Sequence, residues 1–545
     1  MQGPAINIAK ELGFYTIALD GSNTAPCVSL ADQFERIDLK DKEGIEVFAR
    51  SLQSAGNRIG IMTAGTDFSA NVAWVAEKLG LPGIPYEAAL NASDKSRMRE
   101  CFKKAGLPSP DFITITAADL PLNADSKLPA KGFPLVIKPV DNMGSRGCRR
   151  ADSIEELNEA AKTAIGFSRS GRAIVEGFME GPEFSVDAIV YRGEIVICGL
   201  ADRHIFFPPY FIEMGHTMPT VIEKEKQQAM LDTFRAGIYA LGIAGKENIG
   251  AAKGDIKLTA KGPMIGEIAA RLSGGYMSGW TYPYSSGALP IKGAILAAMG
   301  RKPEGLVPTK EWTCAERAFI SIPGTVKEIS GIEKARGMPH VKDLFLRIAA
   351  GSKVSFPENN VTKCGNIISA AGQRAEAIEA AEAAARSILI KLDPSDKKTE
   401  EFLEEASNLR FERRKGREEG EICFPPDAFQ LTDDIYSAFS LIPDDYDDLS
   451  NNDSAPLRLC ERLFLYPFPA LTSSNLRDYM GRTVEENLEA VRLLTGFSLP
   501  NAPKNADNTV ILGRSFWSAF IRGAYQGAVY YIENLGAKWQ ENTPG

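Results

Sequence analysis

Histidine is scarce in this 545-residue chain, which holds three, and the eight cysteines at 27, 101, 148, 198, 314, 364, 423 and 460 include no Cys-x-x-Cys pair. That scarcity argues against both a zinc site and a disulfide framework. Long apolar runs are missing too. No stretch approaches the roughly 20 residues of a membrane span, and the N-terminus has neither the basic nor the apolar region of a signal peptide, so a cytoplasmic protein is expected. Positive charge is not in excess: the net charge of −8 gives no reason to expect general binding to nucleic acid or to an anionic membrane. What is present is a 44% hydrophobic content, enough for about three or four globular domains with cores of their own.

Residues 1–92 alternate helix and strand: a helix from about Pro4 to Leu12, TIALD at 16–20, IGIMT at 59–63, then the helical pattern SANVAWVAEKLG. This is the rhythm of a parallel sheet. The chain opens on MQGPAINIAKELGF, a helix with Pro4 near its first turn and no strand before it, so this Rossmann-like region is expected to lack its first strand and the natural chain to begin upstream. In residues 93–305, SDKSRMRECFKKAGLPSP predicts a helix capped by Ser93, with Met98, Cys101, Phe102 and Ala105 on one face and Lys95 and Arg99 on the polar side. A helix near 153–164, two strands within AIVEGFMEGPEFSVDAIVY and a strand pair at about 248–271 follow. Residues 306–393 read as a small α+β subdomain of short strands and an alanine-rich helix, 394–424 as a charged linker or solvated helix, and 425–545 as a mainly helical region of unassigned role. Phe516, Phe520 and Tyr525 in that last region are expected in its core.

Three stretches carry chemistry. In FPLVIKPVDNMGSRGC (133–148) a run of apolar strand residues ends in Lys138 and then in a loop holding Gly144, Ser145 and Gly147. An ammonium in an interior strand needs a partner, and a phosphate under a glycine-rich cover of backbone N–H groups is one; a glycine hairpin beside a snorkelling lysine is another reading of the same residues. GDIKLTAKGPMIGEIAAR places Asp255 and Glu267 on two strands joined by a Lys-Gly-Pro turn, so that a hairpin brings the carboxylates together, either as a site for a hard cation such as Mg²⁺ or as two solvated acids. Arg271, followed by Leu272-Ser273-Gly274-Gly275, is either an oxyanion holder or an ion-pair partner of Glu267.

The order of these features resembles the ATP-grasp ligases. DKSRMRECFKKAGLPSPDF looks like the family's helix with the first phosphate-binding basic residue, FPLVIKPVDNMGSRG like its second lysine and flexible loop, IVEGFMEGPEFSVD like its adenine and ribose segment, and GDIKLTAKGPMIGEIAARLSGG like its metal-binding acids and catalytic arginine. The resemblance implies an α/β and α+β multidomain protein: an ATP-grasp fold, preceded by the truncated Rossmann-like domain and followed by the mainly helical region. It further implies that Lys95 or Arg99 and Lys138 bind ATP phosphates beneath Gly144, Ser145 and Gly147. Glu176, Phe178 and Met179 would meet adenine through backbone groups and Glu183 the ribose; Asp255 and Glu267 would hold Mg²⁺, with Mn²⁺ as an alternative. The family's usual asparagine two residues after the second acid is Ala269 here, a position a water can fill.

YFIEMGHTMPT and RLSGGYMSGW look most like the branch that ligates amino acids, as PGTVKEISGIEKA looks like its C-terminal subdomain, which places Glu213, His216, Gly274 and Gly275 at the substrate and Arg271, with Lys138, in catalysis. The expected partners are a small carboxylate and an amine, with a homodimer left open. Carboxyphosphate chemistry, as in biotin carboxylase, carbamoyl phosphate synthetase or purine-biosynthesis members, and a nucleotide-binding regulatory protein with weakened turnover are the alternatives.

Overall fold

The computed structural model describes residues 2–123, 126–130, 132–404, 427–447, 463–497 and 510–542. The chain divides into two compact units, one of Met1–Ile205, Pro209–Glu316 and Ile368–Glu379, the other of Phe206–Pro208, Arg317–Ile367 and Ala380–Gly545.

In the first unit the opening helix spans Gln2–Glu11, and strands Ile17–Asp20 and Gln33–Arg36 pair in parallel. The strand expected at 59–63 does not form. Residues 59–63 enter no ladder, and the next residue, Ala64, makes an isolated bridge to Leu272. Ile59 and Ile61 are still drawn against the small core of Ile45, Ala49, Val75 and Leu79; their apolar character reported burial, and burial alone does not pair a backbone.

Helix Lys95–Lys104 begins at Asp94 and not at Ser93. The Asp94 carboxylate accepts from the amides of Ser96 (2.9 Å) and Arg97 (3.1 Å), while Ser93 closes the preceding helix, Tyr86–Ser93, and donates to Ala89. A full negative charge at the positive end of the helix outcompetes a hydroxyl. Met98 and Phe102 are buried as expected, but so is Arg99, assigned to the polar face.

Beyond this helix lie two sheets. The smaller runs in the order Phe112–Thr116, Arg172–Gly177, Leu135–Pro139, Arg149–Ala151, all neighbours antiparallel. Leu135 and Ile137 pack on helix Ile154–Phe167, whose first turn is capped by Ser153, and the two-residue period of the strand sends Lys138 to the opposite face. Five strands of the larger sheet run in the order Gly262–Ala269, Ile249–Thr259, Glu183–Tyr191, Glu194–Phe206, Ile212–Met218. Helix Lys224–Ala240 covers the first of them through Met230, Phe234 and Ile238, in one core with Phe102, Phe184, Ile256 and Ile265. The hairpin turn is Ala260-Lys261, one residue earlier than a Lys-Gly-Pro turn, because Gly262 (φ +104°) already pairs with Thr259 and Pro263 lies within the second strand.

In the second unit, strand Gly324–Ser330 pairs with Lys353–Val354 and with Leu389–Leu392. The C-terminal residues complete this region. Helix Arg514–Asn542, interrupted at Ala524 (φ +49°), buries Phe516, Trp517 and Phe520. The Tyr525 hydroxyl then accepts from Ile390 N (2.8 Å), and Gln526 donates to Ser321 Oγ (2.8 Å) and Ile390 O (3.1 Å). Arg482 donates to the carbonyls of Arg386 and Ile388, at the end of helix Arg374–Ser387. The expected core positions of Phe516, Phe520 and Tyr525 are thus observed. The charged stretch begins as helix Lys397–Glu404, and its remainder to 424 lies outside the described residues. Among the described residues no helix is long and apolar enough to cross a membrane.

Candidate active site

Lys138 does have a partner: its Nζ lies 2.7 Å from Glu176 Oε2. Glu176, in the neighbouring strand, is 1% exposed and accepts at its other oxygen from Arg99 Nε (2.8 Å). Burial pushes this carboxyl up, but the charges and hydrogen bonds of Arg99 and Lys138 outweigh it and hold it at about 2. The same carboxylate raises Lys138 against the pull of its own burial, so the lysine stays charged. Arg99 also donates to the carbonyls of Ile265 and Gly266 (3.0 and 2.7 Å). Its guanidinium thereby ties helix Lys95–Lys104 to the hairpin strand. Lys95, one turn earlier, faces the loop: its Nζ donates to Asn142 O (2.7 Å) and lies 3.7 Å from Glu267. The loop itself turns through left-handed backbone at Gly144, Ser145 and Gly147, and a Cβ at Gly147 would come within 3.0 Å of Phe167 and 3.1 Å of Pro139.

Asp255 and Glu267 stand directly opposite each other in the hairpin ladder. Asp255 is buried, accepts from Ser185 Oγ (2.8 Å) and is ion-paired with Arg203 (3.1 Å) and Lys253. Burial raises both acids, but Arg203 and Lys253 bring Asp255, and Lys95 and Lys253 bring Glu267, below their ordinary values. Two ionised carboxylates facing one another, one of them 35% exposed, are a donor set that fits a hard divalent cation, though the third position offers only the methyl of Ala269. Arg271 makes no ion pair with Glu267 among the described residues; it donates to Thr66 O (3.2 Å) and Leu272 O (3.0 Å).

Arg203 was missed in the sequence. It donates to Glu213 Oε2 through Nε (2.9 Å), lies 2.8 Å from the same oxygen through Nη2, and is ion-paired with Glu183 and Asp255. Lys257 stands 3.9 Å from Glu183 and, with Arg150, lies over the Phe178 ring. Of the expected adenine contacts, Phe178 N is committed to Pro134 O (3.2 Å). Glu213, His216 and Gly275 come together: His216 Nε2 is 3.7 Å from Glu213, and a Cβ on Gly275 (φ +58°) would sit 2.8 Å from Glu213 Oε1, whereas a Cβ on Gly274 would face Gly65 instead (3.6 Å). The adjoining Ser273 donates through N (3.0 Å) and Oγ to Asp187, a fully buried acid pushed up to about 6 by its burial against the pull of these bonds and of Lys253 and Arg271. The signal for Arg203, Lys253 and Asp187 was their charge inside apolar strands; Lys253, two residues before Asp255, shares its face of the strand.

Residues 131–278 match the ATP-grasp domain model and residues 318–393 the L-amino acid ligase C-terminal domain 2. A D-alanine–D-alanine ligase B of Pseudomonas putida is 28% identical over 173 residues, covering 30% of this chain and 52% of that protein; carnosine synthase 1 of Gallus gallus is 24% identical over 354 residues, covering 60% and 37%. The matched stretch therefore spans about half or less of these two relatives. The crystal structure of an L-amino acid ligase from Bacillus licheniformis superposes with a TM-score of 0.60 at 22% identity, over 72% of this chain and 96% of that one, which shows a common fold. Residues 131–278 thus carry an ATP-grasp domain, and residues 318–393 a domain of the kind that closes L-amino acid ligases.

Proposed function

We propose that this protein is an ATP- and Mg²⁺-dependent ligase that joins a small carboxylate, an amino acid or similar, to an amine. One observation carries the reading: Arg203 bridges Glu183, Asp255 and Glu213, so the candidate ribose, metal and substrate positions lie within the reach of a single side chain. Lys95 and Lys138 bind the phosphates, Lys138 exchanging part of its contact with Glu176 for a phosphate oxygen; Arg99, committed to Glu176 and two carbonyls, positions the site. The backbone of Met179 meets adenine, beside Phe178. Asp255 and Glu267 would hold Mg²⁺, or Mn²⁺, which when bound neutralises phosphate charge. The γ-phosphoryl group passes to the substrate carboxylate, giving ADP and an acyl phosphate; the amine attacks the acyl carbon, and phosphate leaves as the C–N bond forms and a proton is lost. Arg271 stabilises the negative charge on the acyl oxygen during the attack. Phosphate release measured over a panel of amino-acid pairs, with the product weighed by mass spectrometry, tests this. Release that needs two amino acids and yields their condensation product supports it; release with bicarbonate alone points to carboxyphosphate chemistry, and ATP binding without ADP formation to a regulatory protein.

Lys138→Ala should weaken ATP binding about 10- to 100-fold, the worth of one charged hydrogen bond, and leave the melt nearly unchanged, because Arg99 still pairs Glu176. Titration calorimetry showing wild-type affinity would remove Lys138 from the phosphate site. Glu267→Gln and Asp255→Asn should separate. The first should lose Mg²⁺-dependent turnover more severely at an almost unchanged melting temperature. The second should lose turnover and also stability, since Arg203 and Lys253 would be left facing a neutral amide. Small, equal losses in both would mark the pair as an ordinary hairpin contact.

A further inference from the structure

Asp187, in strand Glu183–Tyr191, is fully buried, and its backbone is held from a second side. The ladder with strand Glu194–Phe206 slips by one residue between Asp187 and Ala188, and the Tyr282 hydroxyl bridges the two strands there, accepting from Asp187 N (3.1 Å) and donating to Gly199 O (3.3 Å). Irregularities of this kind re-aim a side chain. Here both carboxylate oxygens go to one residue: Oδ1 accepts from Ser273 N (3.0 Å) and Oδ2 from Ser273 Oγ. Ser273 O in turn accepts from Ser278 Oγ (2.9 Å), and Ser273 is itself 1% exposed.

The amide of Ser273 and the carbonyl of Leu272 are the two ends of one planar peptide group. Leu272 O accepts from Gly65 N (3.2 Å) and from Arg271 Nη1 (3.0 Å). Holding the N–H at one end therefore sets the direction of the C=O at the other, and with it the plane of the guanidinium, whose Nε is fixed separately on Thr66 O (3.2 Å). We propose that Asp187 is a positioning residue for Arg271, acting through the Leu272–Ser273 peptide plane. The Ser273 hydroxyl is secondary, since it lies outside the peptide group to which the arginine bonds. The consequence for turnover rests on the reading of Arg271 as the donor to the acyl oxygen.

Hydrogen exchange over peptides spanning Arg271–Gly275, read by mass spectrometry, tests the anchor apart from any activity. In Asp187→Ala the Ser273 amide should exchange about 10-fold faster or more, the worth of one buried hydrogen bond, with helix Lys95–Lys104 unchanged; equal exchange overturns the proposal. Steady-state kinetics at pH 8, above the value of about 6 to which burial pushes this carboxyl, supply the second arm. Asp187→Ala should lower kcat about 10- to 100-fold, the scale of a misplaced catalytic group, with KM for ATP within about twofold. Ser273→Ala keeps the hydrogen bond from its amide to Oδ1 and should stay within about threefold of wild type. Introduced into Arg271→Ala, the Asp187 change should cost nothing further, because it acts only through that side chain. Losses that multiply in the double variant would make Asp187 a general support of the fold and overturn the proposal, as would a Ser273→Ala loss equal to that of Asp187→Ala. Asp187→Asn keeps an acceptor for Ser273 N and serves if the alanine variant does not fold: it should retain about a third of kcat or more, and a loss as deep as that predicted for alanine overturns the hydrogen-bond account. A wild-type kcat in Arg271→Ala ends the arginine's role and, with it, the effect of Asp187 on turnover. That result differs from failure of the anchor itself, in which Arg271→Ala is slow and Asp187→Ala is not.

Discussion

Glu176→Ala should cost the protein about 3–5 kcal/mol of stability, the usual penalty for removing one partner of a buried ion pair. The carboxylate accepts from Arg99 on one oxygen and pairs with Lys138 on the other, and neither Arg99 nor Glu176 is more than 2% exposed. Without it, Arg99 keeps two carbonyls but loses its counter-charge, and water cannot reach it. Urea denaturation should show the midpoint falling by far more than for Lys138→Ala, where the surviving pair is still closed; equal midpoints would show that Glu176 is not the keystone of this contact. The pH dependence follows with a definite sign. The folded carboxyl sits at about 2 against an ordinary value of 4.5, so it binds its proton less readily in the folded state. Its contribution, about 3 kcal/mol by linkage, is complete above pH 4.5 and is lost as pH falls from there toward 2. The Glu176→Gln protein should lack that part of the acid transition.

The double duty of Glu176 explains where the sequence could be read and where it could not. Lys138 at the end of an apolar strand announced that it needed an anion, because a charge in that setting is costly alone; the residue that supplies one in the folded chain lies in another strand, 38 positions away. Asp255 and Glu267 were legible because a hairpin is a local object that keeps two neighbouring strands together, although it is a bulge between Asp255 and Ile256, invisible in the sequence, that sets the two acids opposite each other. Arg99 was misplaced on the polar face since helical periodicity sees only side-chain type, and its buried partners come from residues 176, 265 and 266. Arg203 escaped for the same reason: nothing near it in sequence predicts three carboxylates from three other strands. The failed strand at 59–63 marks a different limit, since pairing depends on a neighbour that an apolar run does not encode.

Arg271→Ala should lower the rate of ligation at least 10²- to 10³-fold, as loss of one oxyanion donor does, while leaving ATP affinity within about twofold. The geometry separates the two quantities. Arg271 spends Nε on Thr66 O and one Nη1 hydrogen on Leu272 O, which fix the plane of the guanidinium; Nη2 makes no protein hydrogen bond among the described residues, and its neighbours in the chain are Leu272 and the Ser273-Gly274-Gly275 turn, anchored by Asp187. None of the side chains assigned to phosphate, adenine or ribose depends on it. A group held by its inner donors with an outer one unspent gains its full interaction only when negative charge develops beside it, so its removal falls on kcat and not on nucleotide binding. Arg271→Lys keeps the charge but cannot bond both carbonyls and still present a donor at the same place. It should therefore recover less than a tenth of wild-type turnover. Recovery to near the wild-type rate would mean that charge alone suffices there, and a wild-type kcat in Arg271→Ala would take the arginine out of the reaction altogether.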